Sequence, residues 1–578
     1  MPENIITMKS IYYLLIAHIG ISVIFISCKS NSQPSQTESW NEKDLYANIE
    51  FEMPKVSEPV FAAYSVLLTD FGAVGDGITK NTDAFEKAIL DVTANGGGKV
   101  IVPRGIWLTG PIILKSDINL HLEDGSLIVF SKDFDDYPLI ETSFEGLNTY
   151  RCLSPISGKD LENIAITGTG IIDGSGDAWR PVKKEKLTER QWKELVRSGG
   201  AVSDDGKIWY PSEKSKLGDS RDNFNVPDFK DPKQFEDVKD FLRPVMVSLI
   251  NCRKVLLDGP TFQNSPAWNI HPLMCEDVTI RNLTVRNPWY SQNGDGLDLE
   301  SCKNVVIYNN NFDVGDDAIC FKSGKNEDGR ERGMPTENII VTNNIVYHGH
   351  GGFTIGSEMS GGVKNVHISN CTFIGTDIGL RFKSTRGRGG VVENIHISNI
   401  DMIDIPAEAI RFNLFYEGNP PIFDGEDQNS KTENKEEQHV PVTEETPSFK
   451  NIFMKNITAT SSGIAAFFQG LPEMPLLNVT LEDAILDAEK GITLIDAEGI
   501  EFKNVKLKIR EKVPLTIYNS TDVTFNSIIL NNDPSQNMIR VIGRKTKNIR
   551  FTNSSISADQ LKKSTEVSAD AVIFSDTM

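Results

Sequence analysis

The chain is short of cysteine and of positive charge and has one long apolar run; each shortage excludes something. Its seven cysteines contain no C-x-x-C pair, which speaks against a zinc site. Cys28 aside, Cys152, Cys252, Cys275, Cys302, Cys320 and Cys371 read as buried free thiols or as partners in an oxidising compartment, and the spacing does not say which pair. Lys and Arg number 59 against 80 Asp and Glu, and the net charge of −21 argues against nucleic acid or an anionic membrane as a partner. An acidic polymer would need a locally basic site. The apolar run Ile11–Ile26 is short for a bilayer, and His18 interrupts it.

That run follows Lys9 and ends in Phe25-Ile26-Ser27-Cys28. A short apolar core with a small residue before a cysteine has the form of a bacterial lipoprotein signal, so residues 1–27 would be removed and Cys28 lipidated. The expectation is a protein of the Gram-negative envelope, in the periplasm or on the outer membrane, held to the membrane by lipid alone. A single spanning helix and a freely secreted protein are the alternatives. Residues 28–64 read as a tether and N-terminal segment, polar over Lys29–Trp40.

Repeats dominate what is present. Gly296-Leu-Asp-Leu-Glu-Ser301 and Ala318-Ile-Cys-Phe-Lys-Ser323 alternate apolar and polar after a small residue, the pattern of a half-buried strand. Similar hexads start at 267, 352, 379, 409, 491, 514 and 538. A second repeat, NVVIYNN from Asn304, NIIVTNN from Asn338, NVHISNC from Asn365 and NIHISNI from Asn394, interleaves with the first. Short strands with Asn/Gly turns at this period predict an all-β fold, a right-handed parallel β-helix over 65–578. Insertions break it at about 180–241 and 417–448, the second expected to be a mobile loop. The run from about Asp83 to Asn95 predicts a capping helix over the open end, with Asp83 and Glu86 as its capping box. The tail beyond Ala558 reads as a terminal cap.

In a solenoid, equal offsets on neighbouring coils stack about 4.8 Å apart. Counting from the small residue, Asp295 and Asp317 share offset minus one, and Asp316 and His350 share minus two. Arg381 and Lys383 fall on the same outer face beside Asp298 and Lys322, with His271 in the column of Lys383. Turn chemistry alone favours Asp and Asn but does not call for neighbouring Arg and Lys. Trp268 reads as core.

These motifs resemble glycoside hydrolase family 28, the polygalacturonase-like pectinases, over about Leu67 to Ile556. Asn293-Gly294-Asp295 stands for the family's Asn-Thr-Asp, Gly315-Asp316-Asp317 for Gly/Gln-Asp-Asp, Gly349-His350-Gly351 for Gly-His-Gly and Arg381-Phe382-Lys383 for Arg-Ile-Lys. Gly294 and Phe382 are departures that remove no reacting group. The Asn81-Thr82-Asp83 tripeptide spells the same motif but lies on the capping helix, where a structural role is expected.

The resemblance implies hydrolysis of α-1,4-galacturonosidic bonds with inversion, without cofactor or metal, by a monomer acting on a pectic polysaccharide or oligogalacturonide. Asp316 would be the general acid, Asp295 and Asp317 would hold and deprotonate the water, and His350 would tune the acid. Arg381 and Lys383 would bind the uronate carboxylate; Asn293, Lys322, His271 and Tyr416 would line the site, and Arg386, Arg388 and Arg411 would extend the positive strip. Crowding of the three carboxyls is expected to raise at least one pKa. The insertion at 180–241 suggests exo action. Rhamnogalacturonan or xylogalacturonan hydrolysis, a calcium-dependent pectate lyase and a non-catalytic carbohydrate-binding solenoid are the other readings.

Overall fold

A computed structural model describes residues 45–416, 440–530 and 538–575. The signal segment and Cys28 lie outside the described residues, as does 417–439 of the second insertion.

Thirty-seven of the described strands form one parallel sheet, coiled as a right-handed β-helix. The hexad strands stack in register: Leu297 pairs with Ile319, Ile319 with Phe353, Phe353 with Leu380 and Leu380 with Ile410. The column continues through Ala466, Ile492, Leu515 and Ile539. Inward side chains of this column are buried, and aromatic rings continue the stacking, Phe382 on Phe412 at 4.3 Å and Phe412 on Phe468 at 5.1 Å. Each such side chain contributes roughly 1.5–3 kcal/mol by leaving water.

The second repeat marks a turn. Asn304, Asn338, Asn365 and Asn394 all adopt the left-handed conformation, which Asn tolerates better than most residues. Their side chains form a ladder: Asn338 donates to Asn304 at 3.2 Å, Asn365 to Asn338 at 3.0 Å and Asn394 to Asn365 at 2.6 Å. The ladder satisfies polar groups at a bend that no backbone pairing covers.

The capping helix spans Thr82–Ala94, and Ala84, Phe85, Ala88, Ile89 and Val92 join the solenoid core. No Asp83–Glu86 capping box forms, because the cap position falls two residues earlier, at Asn81. Asn81 is buried and bonds to the backbone of Val74, Thr79 and Leu108, so this Asn-Thr-Asp secures the cap.

Three readings need correction. The copy at 267 is out of step by two residues: Ile270, not Trp268, pairs with Leu297. A coil at 464–469 escaped notice because Ala466 and the outward Phe467 blur the alternation. The tail is no separate cap, since Leu561–Lys563 and Val572–Ser575 pair with preceding strands as a further partial coil. Residues 29–40, read as the tether, lie outside the described residues, while the N-terminal segment from Tyr46 belongs to the compact unit, with Glu50 on His367 at 2.7 Å and Glu58 on Arg281 at 2.5 Å.

The insertion at 180–241 folds into a small antiparallel sheet (Val182–Lys183, Ala201–Val202, Ile208–Tyr210) and helices at Glu189–Arg197, Glu213–Asp219 and Pro232–Glu236. A hairpin, Leu139–Phe144 with Leu147–Cys152, stands beside it. All six described cysteines are buried free thiols.

Candidate active site

In-register parallel pairing turns sequence offset into position. The Gly296 amide donates to the Asp317 carbonyl, and the His350 amide to the Asp316 carbonyl, so the two predicted columns form. Carboxyl oxygens of Asp295, Asp316 and Asp317 lie within 4.8 Å of one another. Asp295 and Asp317 are buried, whereas Asp316 keeps part of its surface in solvent. One Asp316 oxygen accepts the Asp317 backbone N–H at 2.9 Å and stands 3.2 Å from His350 Nδ1. His350 Nε2 lies 3.7 Å from Asp377, which shares the column of Asp316 and His350.

The acids differ sharply in environment. Burial pushes the Asp317 carboxyl up, but Lys383, Arg381 and Lys322 outweigh it and hold the group far below the usual carboxylate range. Arg381 Nη1 donates to one Asp317 oxygen and Lys383 Nζ to the other, both at 2.9 Å. Burial drives Asp295 well above its ordinary value, helped by the charges of Asp316 and Asp298. One Asp295 oxygen is buried with no hydrogen-bond partner. The cluster therefore holds one fixed carboxylate and one acid that favours its proton. The bond to Asp316 raises His350, against an opposing effect of burial. On spacing alone the three oxygens could hold a cation, although Asp317 already has two positive partners.

Beyond the acids the strand is not half-buried. Asp298 and Glu300 are fully enclosed. Phe144 of the hairpin stacks on Trp268 at 4.4 Å, and the hairpin tip meets the loop after Lys322, where the Lys325 amide donates to Gly146 at 3.2 Å. This roof spans the coils of Trp268, Asp298 and Lys322. Trp268 is thus buried outside the solenoid core, under the roof.

Several cations expected to face substrate are committed elsewhere. Lys322 is buried, 3.1 Å from Glu358 and 3.5 Å from Asp298. Arg386 is paired with Glu473 at 2.6 Å, Arg411 lies 3.4 Å from Glu408, and Arg388 is buried against Asn326. His271 sits two places from its expected column because of the slip at Trp268, and it is buried against Glu300 at 3.0 Å. Asn293 is half-buried, its side-chain oxygen accepting from Arg243 at 2.9 Å. The Tyr416 ring packs against Lys383 and Arg381, at 5.0 and 5.9 Å.

Sequence reasoning missed Asp377, although its offset marks it, and Glu358, which follows the strand without periodic signal. It also left Gly294 unexplained. A Cβ there, or on Gly315, would collide with the Ser291 hydroxyl, so the loop before Asp295 folds tightly onto both glycines.

Carboxyls converging on one face of a parallel β-helix are the groups that glycoside hydrolysis requires, an acid and a base about the scissile bond. The model of glycosyl hydrolases family 28 matches residues 229–491. A solved exopolygalacturonase from Thermotoga maritima is 32% identical, covering 78% of this chain and 94% of its own, with a TM-score of 0.61. A family 28 exopolygalacturonase from Yersinia enterocolitica shares the fold at 24% identity and a TM-score of 0.58, over 88% of this chain and 78% of its own. An exo-poly-alpha-D-galacturonosidase from Dickeya chrysanthemi is 29% identical over 62% of this chain, and the match spans 58% of that protein. The chain belongs to glycosyl hydrolase family 28 and is a glycoside hydrolase.

Proposed function

We propose that this chain hydrolyses α-1,4-galacturonosidic bonds of pectic chains, with inversion and from the chain end. The observation that carries this reading is Asp317, held ionised by Arg381 and Lys383 within 4.8 Å of Asp295 and Asp316. Asp316, on the solvent side and next to His350, donates its proton to the leaving oxygen. Asp295 and Asp317 position the attacking water, and Asp317 takes its proton. Arg381 and Lys383 balance Asp317 while their remaining donors, beside Tyr416, face a uronate carboxylate.

The carboxyls lie closer than the roughly 6.5–9.5 Å usual for inverting enzymes. Inversion therefore rests on the family resemblance, and NMR of the first-formed product decides it. A β-anomer supports the proposal; an α-anomer overturns it.

Exo action is supported by the roof, which encloses one end of the face under Phe144 and Gly146, and by similarity to the exo-acting relatives. Digestion of polygalacturonate should release short products from the outset, and an early ladder of long oligomers would count against it. Turnover of rhamnogalacturonan or xylogalacturonan instead of polygalacturonate would reassign the substrate within the family.

Export as a lipoprotein is part of the same proposal, supported by Ile11–Ile26 before Ser27-Cys28. Labelled fatty acid should enter the full chain and be lost with Cys28→Ala.

A further inference from the structure

We propose that Trp289 and Tyr290, with Lys183 and Lys186, form a second sugar-binding platform that holds a further uronate ring of the substrate outside the catalytic acids. The platform rests on the galacturonide reading above and adds residues that none of the family motifs contains.

Four observations converge on it. Trp289 is 61% exposed and Tyr290 48%, in an edge-to-face pair at 5.7 Å. They line a groove of about 860 Å³ that also takes in His350 and Asp377 and, from the insertion, Lys183 and Lys186. The aromatic pair is therefore an open wall of the cleft. An indole face offers apolar area to the C–H face of a pyranose, which is where a sugar ring is least polar.

The loop is also built. Ser291 Oγ donates to the Pro288 carbonyl at 2.6 Å, and the Gly294 amide donates to the Ser291 carbonyl at 3.2 Å. The Asn287 amide group donates to the carbonyls of Gly294 and Asp295, at 3.1 and 3.3 Å. Ser291 fills the space that a Cβ on Gly294 or Gly315 would need. Glycine in place of the family's threonine at 294 thus lets the loop sit down on Asp295 and fixes the platform to the catalytic coil.

Charge identifies the ligand class. Asp313 faces His348 at 2.9 Å and Asp377 faces His350 at 3.7 Å, while neither Lys183 nor Lys186 has a carboxylate within 4.0 Å among the described residues. Lys186 Nζ stands 4.5 Å from the Trp289 ring centre, so the ammonium and the indole line the same stretch of the groove. A ring stacked there would meet an ammonium at its edge. That suits a uronate carboxylate better than a neutral sugar.

The test compares wild type, Trp289→Ala and Lys186→Gln on galacturonides of two to six residues and on their methyl esters. Trp289→Ala should lose about tenfold in kcat/KM on the longer chains, mainly through KM, as expected for withdrawing tens of Å² of apolar face from a ring. Lys186→Gln should lose several-fold on the acids and little on the esters. Unchanged thermal melting is expected, since both side chains sit at the surface. Equal kinetics of wild type and both variants on every chain length would overturn the platform and leave the substrate assignment standing.

Oligogalacturonide titration of the Asp316→Asn protein, read as fluorescence quenching that Trp289→Ala removes, separates the two readings. Such quenching without turnover by wild type would keep the platform and remove the hydrolytic assignment. Absence of both would remove each of them.

Discussion

Lys383 Nζ stands 2.9 Å from Asp317 Oδ2, a buried charge-assisted bond between a residue of one coil and a residue two coils away. With Arg381 on the other oxygen it sets the ionisation of the proposed base. Lys383→Met removes one of the two bonds and allows burial to raise the Asp317 carboxyl. We expect kcat/KM to fall at least about a hundredfold. The acid limb of the pH–rate profile should move upward.

Stability must follow with the matching sign. A folded pKa below the unfolded value of about 3.9 gives stabilisation that is full above that pH and lost as the pH falls toward the depressed value. The acid-unfolding midpoint of Lys383→Met should therefore lie above that of wild type. Unchanged acid unfolding and an unchanged acid limb would show that Lys383 does not hold Asp317.

Asp316→Asn tests the proposed acid. Loss of a general acid costs about 10²–10⁴ in rate, while the groove and the Arg381–Lys383 pair are untouched. Turnover of polygalacturonate should collapse with oligomer binding largely kept. A variant as active as wild type would move the acid role elsewhere.

Much of this arrangement was legible because a solenoid repeats. The offset of Asp295 and Asp317 from their small residues became a spatial coordinate once the strands paired in parallel register, and Asp316 and His350 followed by the same rule. The rule failed where two registers looked alike. Trp268 and Ile270 are both apolar and two apart, so alternation could not distinguish them, and His271 was misplaced with them. Contacts outside the repeat left no periodic trace. Nothing in the sequence said that Phe144 would cover Trp268, or that Glu358 would claim Lys322. A strand that alternates on paper is consequently buried on both faces in the folded chain.

His350 offers a test through pH. The bond to Asp316 raises its pKa above the ordinary value of about 6.5. Its stabilising contribution is full below the unfolded pKa and lost as pH rises through the elevated folded value. His350→Gln keeps a hydrogen-bonding group but no titration. The alkaline limb of activity should change shape in the variant, and NMR titration of the wild-type imidazole should find it above free histidine. A wild-type value below 6.5 would exclude the bond as the dominant influence.

Chelation addresses the carboxyl cluster from another side. With Asp317 already balanced by Arg381 and Lys383, hydrolysis should proceed without a metal ion. Excess EDTA should leave the rate within about twofold, and the products should carry no unsaturated-uronate absorbance. Activity lost to EDTA and restored by calcium would favour the lyase chemistry.

Lys322 is the sharpest test of how the site is supported, because its two acidic neighbours are unequal. Burial raises Asp298 well above the usual range despite Lys322 at 3.5 Å, and neither Asp298 oxygen has a hydrogen bond. Glu358, by contrast, is held far below its usual value, with burial outweighed by Lys322 and Arg388. The ammonium is therefore balanced mainly by Glu358, at 3.1 Å and one coil on. Lys322→Met would leave Glu358 as a buried charge without this partner, at a cost of about 3–5 kcal/mol. Asp298→Asn removes a group already inclined to be neutral and should cost about 1 kcal/mol or less. In a solenoid the loss is local to adjoining coils, so calorimetry should show the Lys322→Met protein melting earlier or in a separate step, with Asp298→Asn close to wild type. The reverse order of the two variants would mean that Asp298, not Glu358, carries the compensating charge.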